Sequence, residues 1–229
     1  MILSQYEWQV ICLSIKIAGA AIFFSLPLGV FIAWLLARRQ FIGKSLLDSL
    51  IHLPLVLPPV VLGYLLLLTM GKQGVIGQWL YILFGISFSF NWKGAALASA
   101  VVAFPLLVRS IRLAIEAIDP RLENVARTLG ASPLRVFYTI TLPLALPGIF
   151  TGMVLAFARS LGEFGATITF VSNIPDQTRT LPLAMYSLIE TPGSEYETMR
   201  LCIIAILLSM TALLLSEWLM RWHKKKLMS

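Results

Sequence analysis

The chain has 229 residues, 58% of them hydrophobic and 13% charged, with a formal net charge of +7. A soluble domain carries about a quarter charged residues, so this shortfall, together with a mean hydropathy of +0.85, excludes an ordinary water-soluble globule and points to an all-α polytopic membrane protein. Two cysteines and two histidines are too few for a disulfide framework or a histidine-built metal site, and no cofactor is expected.

In chain order, MILSQYEWQV lacks the basic region that precedes the apolar run of a cleavable signal. A membrane-crossing helix needs about 20 mostly apolar residues, and five stretches qualify: 10–37, 51–70, 94–113, 139–161 and 201–219. The whole of 1–229 therefore reads as a single transmembrane domain. Lys16, early in the first stretch, reaches for the interface with its ammonium, and Pro27 bends that helix. Pro54, Pro58 and Pro59 crowd the first half of the second stretch, and Trp92 and Lys93 anchor the third. Proline clusters of this kind survive in membranes where neighbouring helices or water satisfy the freed carbonyls, often around a cavity. Cys12 and Cys202 fall within apolar runs and are expected to be buried small residues. The segment 181–190 is too short to cross and reads as a surface or re-entrant helix. Glu195 and Glu197 read as a solvated face.

The basic residues set the orientation. Twelve of the 18 Lys and Arg residues lie on one side of the five-span arrangement: Arg38, Arg39 and Lys44, then Arg109, Arg112, Arg121, Arg127 and Arg135, then Arg221, Lys224, Lys225 and Lys226. Lys16, Lys72, Lys93, Arg179 and Arg200 lie on the other, and Arg159 falls within or near the membrane. The positive-inside rule then puts the N-terminus outside and the C-terminus inside, as an odd number of spans requires. This distribution explains the net charge without nucleic acid as a partner.

The longest polar-rich segment, 119–138, lies between the third and fourth spans. Asp119 is a good N-cap and Pro120 a good first helical residue. Leu122, Val125, Ala126 and Leu129 recur on one helical face, with Glu123, Asn124, Arg127 and Thr128 on the other. Gly130 ends that helix in the left-handed region, and Ser132-Pro133 open a second one toward Leu142 and Pro143. The expected unit is helix, glycine corner, helix, with its charges on a water-exposed surface.

Val125, Ala126, Gly130, Ile140, Leu142 and Pro143 resemble the "EAA" signature of ABC-importer permeases, in which a small-residue pair precedes a glycine and Ile-x-Leu-Pro begins ten residues after it. Two departures are visible: Val125 replaces an alanine, and Glu123 lies seven rather than six residues before Gly130. Over most of its length, through 53–67, 122–149 and 157–182, the chain is similar to the molybdate permeases of bacterial binding-protein-dependent ABC importers. The Glu163-Phe164-Gly165-Ala166 core is shared with sulfate-type permeases, and length and the five-span layout favour the molybdate type. The resemblance implies a type I ABC importer permease with a cytoplasmic coupling helix, in which Glu123, Val125, Ala126, Gly130, Ile140, Leu142 and Pro143 transmit the work of the ATPase. It also implies a homodimer in the lipid of the bacterial inner membrane, two copies of a separate ABC ATPase subunit and a periplasmic molybdate-binding protein. Tungstate, sulfate and thiosulfate remain open as cargo.

Arg159 and Glu163 stand four residues apart and face each other if the fourth helix continues. Charges at that depth are functional candidates, and with Ser160 and Thr167 they form a candidate translocation path; anchoring of the helix end is the competing explanation. Nothing supports chemistry on a substrate, since the chain contains no GxxxxGK[ST] loop, HExxH, CxxC pair or GxSxG. An ion-coupled secondary transporter is the alternative class, but it needs more acidic groups in mid-membrane and paired repeats.

Overall fold

The computed structural model describes residues 4–227, and the side chains of Ser216 and of residues 218–227 fall outside that description. The basic side chains counted near the C-terminus, and His223, therefore lie outside the described residues. In order the helices are α1 (Gln5–Arg38), α2 (Lys44–Val56), α3 (Pro59–Met70), α4 (Val75–Phe84), α5 (Trp92–Glu116), α6 (Pro120–Thr128), α7 (Pro133–Val136), a π turn (Phe137–Thr141), α8 (Leu142–Leu161), α9 (Gly165–Val171), α10 (Leu181–Ile189) and α11 (Glu195–Leu227).

α5 forms the centre. Of its most apolar window 61% is buried, against 28% for α1 and 6% for α11, and α1 and α8 pack along it. Leu36, Leu107, Ile111, Ile115 and Ile149 fill the core toward the α6 end. Ile17, Leu62, Ala95, Val102, Ala166 and Phe170 fill the opposite half. Between apolar helices in lipid there is little hydrophobic drive, so close backbone approach carries the association. A Cβ on Gly148 of α8 would collide with the Ala114 methyl of α5, and beside it the Ser110 hydroxyl donates to the Gly148 carbonyl at 3.1 Å. α3 and α9 meet in the same way, since a Cβ on Gly63 would stand 2.6 Å from the Ala166 carbonyl oxygen.

Among the described residues four helices are long and apolar enough to cross a membrane, and a fifth crossing is available if α2 and α3 count as one span. Within the stretch 51–70 the bend expected of its prolines is a break, for the chain turns by 116° between α2 and α3. Leu57 and Pro58 are both extended, with ψ of 140° and 133°. Pro58 and Pro59 bring no N–H to the ladder, and each biases the residue before it away from helix.

α1 begins with a capping box in which Ser4 and Glu7 satisfy each other's backbone N–H. Pro27 does not interrupt it. At 34 residues it is roughly 50 Å long, well over the ~30 Å of a hydrocarbon core. Its first turns pack on protein, with Val10 and Ile11 buried against Leu181, Ala184 and Leu201. Glu7 closes this corner by accepting from Arg200 of α11 at 2.8 Å. α10 is thus a packed helix, with Leu181, Leu183 and Ala184 fully covered. Lys16 does not simply stretch toward water, for its ammonium sits 4.0 Å from the centre of the Trp92 ring. Cys12 is exposed and Cys202 half-buried; on the outer face of a membrane helix an apolar side chain meets lipid, so burial of Cys12 did not follow from its apolar neighbours.

Candidate functional site

The segment that joins α5 to α8 is built by local rules. The Asp119 carboxylate accepts from the Arg121 N–H at 2.9 Å, and Pro120 takes the first helical position of α6. Gly130 has φ of +87°. Its N–H donates to the Arg127 carbonyl and that of Ala131 to the Ala126 carbonyl, both at 3.0 Å, which is the paired closure of a Schellman C-terminus. A Cβ at Gly130 would meet nothing within 4 Å, so the demand for glycine is conformational and not steric. Ser132 then caps α7.

From Pro133 the chain runs without a break to Leu161, and the fourth membrane helix therefore begins six residues earlier than 139. At Phe137–Thr141 it loosens into a π turn, with the Leu142 N–H bonded to the Phe137 carbonyl. Pro143 is the cause, since it offers no N–H to the Thr139 carbonyl and its ring crowds that oxygen. Ile140 and Leu142 are half-buried and Pro143 is exposed.

α6 departs from the expected water-exposed charges at one residue, Glu123, while Asn124, Arg127 and Thr128 are exposed as expected. Val125 is 57% exposed and Leu129 83%, with Leu122 also open, while Glu123 is only 5% exposed. Glu123 Oε1 accepts from Arg38 Nε at 3.1 Å and from the Thr141 hydroxyl at 2.8 Å. The second arm of Arg38 donates to the Ile118 carbonyl at 3.0 Å. A carboxylate held by a guanidinium and a hydroxyl is satisfied inside the protein, and Glu123 alone of the polar residues of α6 turns inward. Trp34 of α1 packs edge-on against Phe137, with ring centres 5.8 Å apart. A more exposed cluster lies nearby, where Arg112 of α5 bonds Asp48 of α2 at 2.9 Å and Glu116 at 2.8 Å.

At the far end of α8 the helix stops at Leu161, and Gly162 is its C-cap. The expected Arg159–Glu163 pair nevertheless forms, with Nη1 and Oε2 2.8 Å apart. The other carboxylate oxygen accepts from the Ala166 N–H at 2.9 Å and so starts α9. Glu163 is buried, as are Ser160 and Thr167, and among the described residues neither hydroxyl has a hydrogen-bond partner. The four residues lie within a single turn region, while Glu123, Val125, Ala126, Gly130, Ile140, Leu142 and Pro143 gather at the opposite end. Arg38 and Thr141 were not read from the sequence as partners of Glu123. Arg38 entered it only as one basic residue among twelve, and its partner Glu123 is 85 positions away, beyond any periodicity. Among the described residues no group of His, Cys, Asp and Glu is placed to hold a metal ion.

The family of binding-protein-dependent transport system inner membrane components matches residues 25–229. The molybdenum transport system permease protein ModB of Escherichia coli (strain K12) is 64% identical over 226 residues, covering 99% of each chain. ModB of Haemophilus influenzae is 64% identical over 221 residues, covering 96% of each. Among solved structures, a bacterial alginate ABC transporter in complex with an alginate-bound periplasmic protein matches with a TM-score of 0.73 at 17% identity, over 93% of this chain and 77% of that one. At that identity the likeness shows the fold alone.

Proposed function

Because the chain belongs to the binding-protein-dependent transport system inner membrane components, we propose that it is the multi-pass inner-membrane permease subunit of an ATP-driven molybdate importer. The observation that carries this reading is the 64% identity to a molybdenum permease over 99% of both chains. Such a subunit works with a separate ATPase and with a binding protein that brings the cargo. In full, the assembly we propose has two copies of this chain in the lipid bilayer, two ATPase copies beneath them and a molybdate-binding protein outside. The N-terminus faces out and the C-terminus in, as the twelve basic residues on one side favour.

In this arrangement α6 is the coupling helix. Val125, Ala126 and the open face around Leu129 enter the ATPase, where leaving water repays an apolar contact. Gly130 holds the angle between α6 and α7. Closure of the ATPase displaces α6, and the continuous rod from Pro133 to Leu161 carries that displacement through Ile140, Leu142 and Pro143 into the bundle, which rocks as rigid parts. Glu123 contributes from inside, as an anchor, and not as a docking charge.

Arg159, Ser160, Glu163 and Thr167 line the anion's path. At an effective dielectric constant of about 20, two unit charges 4 Å apart interact by about 4 kcal/mol, enough for a lone arginine to detain a divalent oxyanion. The Glu163 carboxylate offsets most of that attraction and leaves a site the ion quits as readily as it enters. The Ser160 and Thr167 hydroxyls are covered and have no protein partner among the described residues, and they become donors to the ion as the bundle rocks.

The test is uptake of labelled molybdate, with excess sulfate as competitor, in cells lacking the gene and in complemented cells. Uptake lost on deletion, restored by the gene and little affected by sulfate is the expected result. Loss of sulfate uptake in place of molybdate uptake would move the cargo, and no change in either would overturn the importer reading.

A further inference from the structure

We propose that Arg38, through Glu123, is the positioning residue that makes the end of α1, the coupling helix α6 and the π turn at the root of α8 move as one body. This inference rests on α6 being the element the ATPase pushes. Three elements distant in sequence meet at one carboxylate oxygen, for Glu123 Oε1 takes the Arg38 Nε–H at 3.1 Å and the Thr141 O–H at 2.8 Å. The other arm of Arg38 holds the Ile118 carbonyl at 3.0 Å, immediately before the Asp119 cap of α6. Arg38 therefore grips α6 on both sides of its first turn.

Burial makes the grip stiff. The Arg38 and Glu123 side chains are 13% and 6% exposed, and Thr141 is fully covered. Sliding α6 along α1 or α8 would strand a buried charge, which costs far more than any deformation of a solvated pair. The nearby Arg112–Asp48 bridge is less covered, with side chains 25% and 36% exposed, so it yields more readily to the same push. The π turn explains the need for a second attachment. Its loosened ladder, caused by Pro143, is a softer point within the rod from Pro133 to Leu161, and a second attachment there stiffens the rod as it carries the push. The Thr141 hydroxyl pins that turn to Glu123, and Arg38 spreads the load to α1, which itself packs on α5 and α8.

The test uses the complete complex with its ATPase, with Cys12→Ser and Cys202→Ser as background. Spin labels at Gln40→Cys and Asn124→Cys, both exposed positions, report the distance between the end of α1 and α6. With the latch intact, that distance keeps its value within the width of its distribution when ATP binds. In Thr141→Val and Glu123→Gln it shifts or broadens with ATP, and molybdate imported per ATP hydrolysed falls several-fold. Exchanging the charges, Arg38→Glu with Glu123→Arg, restores part of that ratio. An α1–α6 distance that changes with ATP in the unmutated latch overturns the proposal. So does an import-to-ATP ratio that stays constant in Thr141→Val and Glu123→Gln while uptake and assembly fall together, because that is a purely structural role. A crosslink from Val125→Cys to the ATPase separates the two levels. If it forms and the distance still changes, the latch fails and the coupling reading stands; if it does not form, the coupling reading itself fails.

Discussion

Glu123 and Glu163 are buried carboxylates at opposite ends of α8, and each is held by an arginine and one further donor. Glu163 takes its arginine from four residues away, Arg159, and its second donor from the Ala166 backbone, so its whole setting is local. Glu123 takes Arg38 from the end of the first helix and Thr141 from the start of α8. The first arrangement shapes a chain break, and the second joins three elements. Their arginines differ too: the Arg159 side chain is 33% exposed and that of Arg38 13%. A carboxylate lost at the first site leaves a cation able to turn outward. At the second it leaves one trapped.

The sharpest test of that contrast is truncation of each acid. We expect Glu123→Ala to destabilise the folded chain by about 3–5 kcal/mol, the cost of stranding a buried charge. Glu163→Ala should cost only about 1–3 kcal/mol, the range for one lost partner of a buried polar group. Thermal unfolding of the two variants in detergent decides the matter, and equal losses would dissolve the distinction. Next in size is Gly130→Leu. Forcing a side chain into the left-handed region costs about 1–2 kcal/mol, and by moving the corner it should abolish uptake while membrane insertion persists. Gly130→Asn, which tolerates that region, should keep most uptake; a correctly inserted Gly130→Leu that imports normally would remove the corner from the mechanism. Arg159→Ala should leave co-purification of the ATPase intact yet reduce molybdate uptake, and unaltered uptake kinetics would reduce Arg159 to an anchor for the helix end. The smallest effect belongs to Arg112→Gln. Its bridges to Asp48 and Glu116 are half-exposed, so about 1 kcal/mol should be lost, and a larger drop in melting temperature would show that this cluster shares the load of the buried one.

The same contrast explains what was legible in advance. Asp119, Pro120, Gly130, Ser132 and Pro133 were read correctly as caps and corners, because capping depends on residues within one turn. The Arg159–Glu163 pair was equally visible as an i, i+4 spacing, and it forms even though the helix stops between its members. The proline run at 54–59 signalled a bend, but whether it kinks one span or separates two helices by 116° depends on what α3 packs against, here α9. The burial of Glu123 was the clearest miss. Periodicity placed it with Asn124, Arg127 and Thr128 on a water-exposed surface, and of these only Glu123 is buried.

Composition alone thus determined a helical membrane protein, because too few charged residues exist to clothe a soluble surface and the apolar runs are of crossing length. Local chemistry determined the helix–corner–helix unit between α5 and α8. Only the tertiary structure decided that Glu123 of α6 is turned inward, since a single buried contact overrides the polarity of the residue that makes it. A carboxylate met in the interior by a guanidinium and a hydroxyl is satisfied there, and the residues that meet it, Arg38 and Thr141, come together only when α1 and α8 pack around α5.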